Sequence, residues 1–197
     1  ANPDGTDLKE FASGLRNTVF FAWNPTTHEL WGNDMGRDLL GDDLPPDEVN
    51  ILKEGKFYGW PYCYGKNIVD REFDTGTGAA EKCKSAEASY IDLRAHSAPL
   101  GLAFIPVTWP RQYQGDLLVS FHGSWNRTKP TGYKVVRIKL DAKGNYERIE
   151  DFISGWLPQT DESSALGRPV DLIFDAKGSL FISDDKAGVI YRVVYGG

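Results

Sequence analysis

Short apolar runs separated by polar turns recur along this chain, and helical periodicity is weak throughout. Three stretches share one layout, in which an apolar strand is followed by a turn with Asn, Asp or Gly and by a second strand with a polar end. This layout predicts β-hairpins. The hairpins pair residues 19–23 with 29–34, residues 101–105 with 115–120, and residues 170–174 with 179–184.

A third strand follows each hairpin, and a fourth strand follows the first two hairpins. The third strands are predicted at 48–53, 133–140 and 189–195, and the fourth strands at about 88–94 and 146–153. Four-stranded antiparallel units in series are typical of β-propeller blades. We therefore predict an all-β fold of propeller blades in a single domain, 1–197, with approximate blades 15–95, 96–155, and 165–197 plus 1–14.

The last unit lacks a fourth strand, and the N-terminal segment resembles the missing piece. Residues 11–14 match residues 152–155, which end the second unit. We therefore expect the chain to begin with a fourth strand and to end with a third strand. Propellers close their ring in this way, with one blade built from strands of both termini. Known rings have roughly 4 to 8 blades. We expect half of a six-bladed ring, completed by a second copy of the chain or by a missing N-terminal half, and not a free monomer.

Composition excludes several classes of protein. The 197 residues carry 22 Lys and Arg against 28 Asp and Glu, a net charge of −6, and 41% hydrophobic residues. These values argue against disorder and against binding of duplex nucleic acid, which needs a basic surface. No apolar run approaches the roughly 18 residues of a membrane span.

Two cysteines bear on the cellular compartment. Cys63 and Cys83 are either free thiols or a disulfide that closes a loop of about 20 residues. A disulfide implies an oxidising compartment, and the first residues, Ala1-Asn2-Pro3, are compatible with a preceding cleavage site. We expect a periplasmic or secreted protein.

Two segments concentrate unusual side chains. Segment 55–65 carries five aromatic residues beside glycines, and we expect these rings to pack in the core under a long loop. Segment 32–48 concentrates carboxylates, which suit Ca²⁺ as hard oxygen ligands. Their spacing is not that of an EF-hand, and we expect a solvated acidic loop in preference to a metal site. The carboxylates are Asp34, Asp38, Asp42, Asp43, Asp47 and Glu48.

Two arginines occupy equivalent positions, immediately before the first strand of a predicted blade. They are Arg16, followed by Asn17, and Arg168, followed by Pro169. First strands line the central channel of a propeller, so guanidinium groups at these positions suit an anionic, planar ligand. A surface salt bridge is the alternative for either arginine.

Three histidines are candidates for chemistry. A lone histidine is more often structural than catalytic, but His122 follows a second strand, on the side of the blades where a site would lie, and is a weak candidate for catalysis. His96 is a weaker candidate, and His28 lies in a turn where we expect it to be solvated. No Ser-His-Asp set, P-loop or Rossmann fingerprint is present.

These motifs, in this order, resemble the soluble pyrroloquinoline quinone (PQQ)-dependent sugar dehydrogenases, the glucose, aldose and sorbosone dehydrogenase family. The resemblance covers the whole chain but only the second half of the family's six-bladed propeller. Segment 122–126 and the pair Cys63 and Cys83 look most like the sorbosone branch. The other matching segments are 14–17, 47–50, 58–61, 98–104 and 167–171.

The resemblance implies a PQQ- and calcium-dependent oxidoreductase that acts on sugar CH–OH groups. In such enzymes Ca²⁺ polarises the quinone, a histidine takes the hydroxyl proton, and hydride passes to PQQ. The resemblance assigns Glu48 and the backbone of Tyr58 to a calcium site. Val170 stands where the family has a second arginine. The residues assigned to the quinone are Arg16, Asn17, Phe121, His122, Gly123, Ser124, Arg168, Pro169 and Val170.

One departure from the family affects catalysis. The family's catalytic histidine lies in the half that this chain lacks, and none of His28, His96 and His122 matches it. The resemblance therefore implies a protein that is incomplete for catalysis as a single chain. One alternative is a non-catalytic binding or scaffold propeller that assembles as a homodimer into a six-bladed ring. Another is a lactonase-type hydrolase, which needs a ring of channel carboxylates, of which Asp171 is the only obvious one.

Overall fold

Antiparallel sheets make up most of the regular structure in the computed structural model, which describes residues 1–73, 76 and 78–196. The predicted all-β fold is confirmed, because helix in these residues is confined to α1 (Ala79–Ser85) and a 3-10 turn at Glu162–Ser164. The strands are β1 (Ala12–Ser13), β2 (Phe21–Trp23), β3 (Leu30–Asp34), β4 (Asp47–Leu52), β5 (Lys56–Phe57), β6 (Cys63–Tyr64), β7 (Ile68–Val69), β8 (Ile91–Leu93), β9 (Pro99–Phe104), β10 (Leu117–Phe121), β11 (Lys134–Leu140), β12 (Tyr146–Ile153), β13 (Pro169–Phe174), β14 (Leu180–Asp184) and β15 (Val189–Val193).

The first sheet has the strand order β2-β3-β4-β8, with every pair antiparallel. Its first turn is held by Asn24, whose buried Oδ1 accepts the N–H groups of Thr26 and Thr27. Such an Asx turn stabilises the hairpin that the sequence predicts. At the far end of the hairpin, Asp34 lies directly opposite Glu48 in the register of β3 and β4.

The second sheet has the order β9-β10-β11-β12, and the third has the order β13-β14-β15. Asp141 and Asp175 organise equivalent turns in these two sheets, because each carboxylate accepts N–H groups from the residues two and four positions later. The strands of all three sheets begin and end within three residues of the predicted bounds. The local pattern of apolar runs and turn residues therefore determines these elements.

The core lies between neighbouring sheets. Strand β10 is buried along its whole length, so that side chains on its two faces contribute to both hydrophobic clusters. The first strands of the second and third sheets approach closely at Gly101, where a Cβ atom would lie 2.6 Å from the Asp171 Cα. Glycine is required at this position because any side chain would clash with the backbone of β13.

The N-terminal segment differs from its predicted role as a fourth strand. Within the described residues, only Ala12–Ser13 of this segment forms a strand, and it pairs in parallel with Lys56–Phe57. The carbonyl groups of Phe11 and Ser13 accept N–H groups of Gly55 and Tyr58, so the adjacent aromatic segment satisfies this backbone. In the sheet order of the described residues, β15 has β14 as its one neighbour and its other edge is unpaired.

An insertion between β4 and β8 covers one end of the first sheet. It contains the hairpin of β6 and β7 and the helix α1, and it is joined by a disulfide between Cys63 and Cys83, whose Cα atoms are 5.8 Å apart. Both cysteines are buried. Among the described residues, no helix has the length and apolar character needed to cross a bilayer.

Candidate functional site

A buried aspartate anchors each of the two predicted arginines. Asp34, at the end of β3, accepts the backbone N–H of Arg16 at 2.9 Å and that of Asn17 at 2.6 Å. Asp184, at the end of β14, accepts the backbone N–H of Arg168 at 2.9 Å. Sequence reasoning named Asp34 only as part of an acidic loop and gave Asp184 no role, although both residues end the second strand of a repeat unit. The shared anchor gives the two arginines equivalent positions relative to their sheets.

A pocket of about 180 Å³ contains three of the predicted cofactor residues. Arg16, Asn17 and Gly123 all line it, and Gly123 adds no side chain that would narrow it. The pocket is also lined by residues that sequence reasoning did not assign to the cofactor. These are Asp38, His96, Trp125 and Asn126. These come from loops that are far apart in the chain, so no local motif links them.

The side chains of Arg16 and Asn17 retain donors for a ligand. The Arg16 guanidinium contacts the Met35 carbonyl at 3.3 Å and the Asp38 carboxylate at 3.6 Å, and lies 5.7 Å from the ring centre of Trp60. The Asn17 amide makes one weak contact among the described residues, to the Met35 sulfur at 3.8 Å. A guanidinium has five N–H donors, so most of them are available here.

Arg168 is differently engaged. Its Nε donates to the His122 carbonyl at 3.1 Å, and its Nη2 donates to the Gly123 carbonyl. The guanidinium lies over the Tyr133 ring, 5.3 Å from its centre. Arg168 therefore holds the turn that carries His122 and Gly123, and it has fewer donors left than Arg16.

His122 is paired with a carboxylate. Its Nε2 lies 3.0 and 3.1 Å from the two carboxylate oxygens of Asp185, and 18% of its side chain is exposed. Burial lowers the pKa of His122 below its usual value, against the opposing effect of Asp185. Because a carboxylate can only accept, Nε2 carries the hydrogen in the neutral ring, and Nδ1 is an acceptor with no partner among the described residues.

Six predicted cofactor residues lie outside the lining of the pocket: His122 and Arg168, described above, and four residues with structural contacts. Phe121 packs in the core, and Ser124 binds the neighbouring loop, its Oγ accepting the Thr131 N–H at 3.0 Å. Pro169 is buried in β13, and the Val170 carbonyl accepts the Ser120 hydroxyl at 2.5 Å. These residues support the strand ends that frame the pocket.

The prediction of a solvated acidic loop is wrong for Asp34, Asp47 and Glu48, which are 7%, 2% and 7% exposed. The reason is that backbone N–H groups of distant loops replace water around the carboxylates. Asp47 accepts the N–H groups of Gly36 and Ala98, each at 2.9 Å. Burial nevertheless raises the pKa of Asp47 to about 7, because these bonds compensate only part of the lost hydration.

Glu48 and Tyr58, which the resemblance assigns to a calcium site, line one small cavity with Asp34. The cavity holds about 20 Å³, room for about one water-sized group. Glu48 accepts the Gly65 N–H at 2.6 Å and the Asn50 amide at 3.0 Å, and burial raises its pKa to about 7. Within residues 1–73, 76 and 78–196, no three His, Cys, Asp or Glu side chains are grouped so as to hold a metal ion.

The other two histidines have different surroundings. His96 is buried, its Nε2 lies 2.8 Å from the Gly41 carbonyl, and its Nδ1 lies 3.3 Å from the Asn126 amide. It therefore tethers two loops beside the pocket. His28 is exposed in the turn of the first hairpin, as expected from the sequence.

Two relatives have been identified by sequence. An uncharacterised protein of Borreliella burgdorferi is 40% identical over 187 residues, which are 93% of this chain and 48% of that protein. A pyrroloquinoline quinone-dependent pyranose dehydrogenase of Coprinopsis cinerea is 31% identical over 117 residues, which are 51% of this chain and 15% of that protein. The chain thus spans about half the length, or less, of these relatives.

Solved structures of other proteins show the same fold. A calcium structure of Trichoderma reesei Carbohydrate-Active Enzymes Family AA12 has a TM-score of 0.78 and 23% identity, over 92% of this chain and 52% of that one. The holo form of the pyranose dehydrogenase PQQ domain from Coprinopsis cinerea has a TM-score of 0.69 and 22% identity, over 92% and 54%. The predicted resemblance to PQQ-dependent sugar dehydrogenases is confirmed. The model of the TrAA12-like family matches residues 4–196, and the chain belongs to this family.

Proposed function

We propose that this chain forms half of a six-bladed propeller of a PQQ- and calcium-dependent sugar dehydrogenase, and that it is incomplete for catalysis by itself. The observation that carries the proposal is the pair Arg16 and Asn17, whose donors face a pocket in a chain matched by the TrAA12-like family over 4–196. The three sheets would be three blades of a ring that contains twice as many blades. The Coprinopsis cinerea relative, a PQQ-dependent pyranose dehydrogenase, supports the substrate class.

The donor set fits an anionic quinone. Arg16 supplies a planar cationic fork and Asn17 a neutral amide, a combination that suits carboxylate and quinone oxygens. Arg168 holds the backbone at His122 and Gly123 in place. Phe121, Ser124, Pro169 and Val170 would act by supporting these loops. When bound, PQQ supplies the two-electron acceptor for hydride.

The carboxylates beside the cavity at Glu48 supply the negative charge that a calcium ion requires. Asp34 and Glu48 are buried and directly opposed, and a divalent cation would remove the repulsion between them. The Oδ1 atom of Asn50, next to Glu48, is buried without a donor among the described residues and is a further oxygen. Glu48 and the backbone of Tyr58, with Asp34, would hold the ion. Backbone carbonyls and water would complete the six to eight oxygens that calcium takes.

His122 is the candidate proton acceptor within this half, beside the family's catalytic histidine, which the missing half would supply. Its lowered pKa keeps the imidazole neutral at pH 7, and the bond to Asp185 directs the free acceptor to Nδ1. A hydroxyl proton of the sugar would move to this atom. Asp185 would hold the ring during the transfer and favour the charged form that results.

A second half-ring would cover the apolar ends of the assembly. Phe21 and Trp23 of the first sheet are 63% and 65% exposed, and Ile173 and Ile190 of the third are 64% and 71% exposed. Apolar surface at both ends, together with the unpaired edge of β15, favours a partner with the same architecture. The partner would be a second copy or a missing N-terminal half. The disulfide supports a periplasmic or secreted location.

Equilibrium titration with PQQ tests the proposal. The chain should bind PQQ stoichiometrically in the presence of Ca²⁺, and chelation of the ion should release it. Arg16→Ala should weaken binding, while Arg148→Ala, which removes an exposed arginine of β12 outside the pocket, serves as the control. Absence of PQQ binding at high micromolar concentration would contradict the proposed function and favour a scaffold propeller.

Solution mass tests the half-ring. Light scattering should give about 44 kDa for a closed dimer, twice the 22.0 kDa of the chain. Sugar-driven dye reduction by that assembly with PQQ and Ca²⁺ would show that two such halves suffice for catalysis. A well-behaved monomer of 22.0 kDa would contradict the proposed pairing.

A further inference from the structure

The Asp38 carboxylate lies between two donors, the amide of Asn126 and the guanidinium of Arg16. We propose that Asn126 is a positioning residue, whose hydrogen bond keeps Asp38 from pairing fully with Arg16, so that the guanidinium stays available to an anionic ligand. The proposal rests on the proposed function, because PQQ is the anion that is assigned to Arg16.

The two contacts of Asp38 differ in length. Its Oδ1 accepts the Asn126 amide at 2.8 Å, whereas its Oδ2 lies 3.6 Å from the Arg16 Nη2. A charge-assisted N–H···O bond to a carboxylate is usually about 2.7 to 2.9 Å long, and arginine favours a bidentate pair with both oxygens. The pair of Asp38 with Arg16 is longer than this. Because Asn126 holds one oxygen, the carboxylate cannot present both to the guanidinium.

Two acceptors fix the orientation of the Asn126 amide. Its Nδ2 lies 3.3 Å from the His96 Nδ1 as well as 2.8 Å from Asp38. The His96 Nε2 lies 2.8 Å from the Gly41 carbonyl, which can only accept, so the neutral ring carries its hydrogen on Nε2 and accepts at Nδ1. A rotated amide would place its oxygen against both acceptors. The amide therefore directs Nδ2 at Asp38, although its Oδ1 is buried without a donor among the described residues.

The loops that carry Asp38 and Asn126 are joined by a further contact. The Arg127 guanidinium donates to the Asp43 carboxylate at 3.1 Å and to the Asp42 carbonyl. These bonds hold the two loops together without the Asn126 amide. Loss of that amide should therefore free the Asp38 side chain while the loops stay in place, and the carboxylate can then rotate onto the guanidinium beside it.

PQQ titration over a double-mutant cycle tests the proposal. Asn126→Ala should weaken PQQ binding about threefold to fivefold, because Asp38 then competes for Arg16 with the strength of a part-exposed ion pair. In the Asp38→Asn background the same substitution should have little effect. Asn145→Ala is the matched control, because it removes an amide that donates to Asp141 at 3.0 Å in the turn between β11 and β12, and it should leave affinity unchanged.

NMR of the Arg16 guanidinium tests the same contact without PQQ. A bidentate carboxylate slows rotation about the Cζ–Nη bonds, so Asn126→Ala should show slower rotation at Arg16 than the wild type. Asn126→Asp, which keeps the shape of the side chain but replaces the donor with an acceptor, should have the same effect. The double variant Asn126→Ala with Asp38→Asn should rotate as the wild type does.

The two measurements separate the positioning role from the proposed function. Slower rotation at Arg16 in the Asn126 variants, without PQQ binding by the wild type, would support the positioning role and contradict the proposed function. If the wild type binds PQQ but Asn126→Ala weakens binding equally with and without Asp38→Asn, the positioning role is wrong and the proposed function stands. Unchanged rotation at Arg16 in both Asn126 variants would likewise overturn the positioning role.

Discussion

Arg16 and Arg168 precede the first strands of two different sheets, and a buried aspartate accepts the backbone N–H of each. Beyond this shared anchor, the two side chains differ. Among the described residues, the Arg16 side chain makes one hydrogen bond, at 3.3 Å, and lines a pocket, whereas the Arg168 side chain donates to two carbonyl groups of the turn after β10 and lies over Tyr133. The repeat places both guanidinium groups, and the packing around each decides whether it is available to a ligand.

The comparison of Arg16 with Arg168 separates a role in ligand binding from a role in stabilising the fold. A guanidinium whose donors are satisfied by backbone carbonyls contributes to stability, and one whose donors face a pocket contributes to ligand affinity. The surroundings of Arg16 also differ from those of Arg168 in their charge. The buried carboxylates Asp34, Asp47 and Glu48 all lie near Arg16. Four predictions test these differences, in order of decreasing effect.

Stability should depend on pH through Asp47. Its pKa is about 7 in the folded chain, against a usual value of 3.8, so the folded state binds more protons than the unfolded state between pH 4 and 7. The free energy of unfolding should therefore fall as pH rises through this range, by about 4 kcal/mol for this group.

Urea unfolding of the wild type and of Asp47→Asn between pH 4 and 7.5 measures this effect. The asparagine adds a constant cost at its unpaired amide, so the comparison uses the slope with pH and not the absolute stability. The slope should be shallower in the variant. Equal slopes would show that Asp47 is not the group responsible.

The two anchoring aspartates should differ in their contribution to stability. Asp184→Ala removes the acceptor of the Arg168 and Ala187 N–H groups and of the Tyr191 hydroxyl, and should lower the free energy of unfolding by about 3 kcal/mol. Asp34→Ala removes two acceptor bonds, and should cost about 2 kcal/mol. The cost is smaller for Asp34→Ala than for Asp184→Ala because burial destabilises the charged carboxylate of Asp34, which raises its pKa. Chemical denaturation at pH 7 measures both, and a larger loss for Asp34→Ala would reverse the comparison.

The two arginines should separate affinity from stability. Arg16→Ala should weaken PQQ binding about tenfold and change the free energy of unfolding by less than about 0.5 kcal/mol. Arg168→Ala should lower the free energy of unfolding by about 1 to 2 kcal/mol, because it leaves two carbonyl groups without donors. Titration and urea unfolding of both variants measure the pair of effects. If both variants lose the same PQQ affinity and have the same free energy of unfolding, the distinction between Arg16 and Arg168 is wrong.

The smallest effect concerns the ring beneath Arg16. Trp60→Leu removes the aromatic face that lies 5.7 Å from the guanidinium and should weaken PQQ binding about twofold, because an exposed cation–π contact contributes about 0.5 kcal/mol. Tyr133→Phe keeps the ring beneath Arg168 and is the matched control for affinity. An unchanged affinity in Trp60→Leu would show that Trp60 does not orient Arg16.

Much of the fold could be predicted because its signals are local. Strand β12 has the predicted bounds 146–153, and the turns of the hairpins follow from Asn24, Asp141 and Asp175. The N-terminal segment could not be predicted, because its motif matches a fourth strand while Ala12–Ser13 finds an adjacent backbone partner at β5.

The candidate site was predictable only in part. Arg16 and Asn17 follow from their place in the repeat, and Gly123 from the family resemblance. Trp125, Asn126 and Asp38 join them through contacts between residues up to 88 positions apart, such as that of Asn126 with Asp38. No pattern within a single strand or turn records such a contact.

The sequence by itself determined an all-β chain of repeated hairpins, its membership of one family, and the positions of two arginines before first strands. The hairpins follow from turn chemistry and from apolar runs, which act between neighbours in the chain, whereas the family membership rests on the order of the motifs. Only the tertiary structure decided that Asp34, Asp47 and Glu48 are buried, and that Arg16 is available while Arg168 is engaged. Desolvation and hydrogen bonding depend on which distant groups surround a side chain, and folding is what brings those groups together.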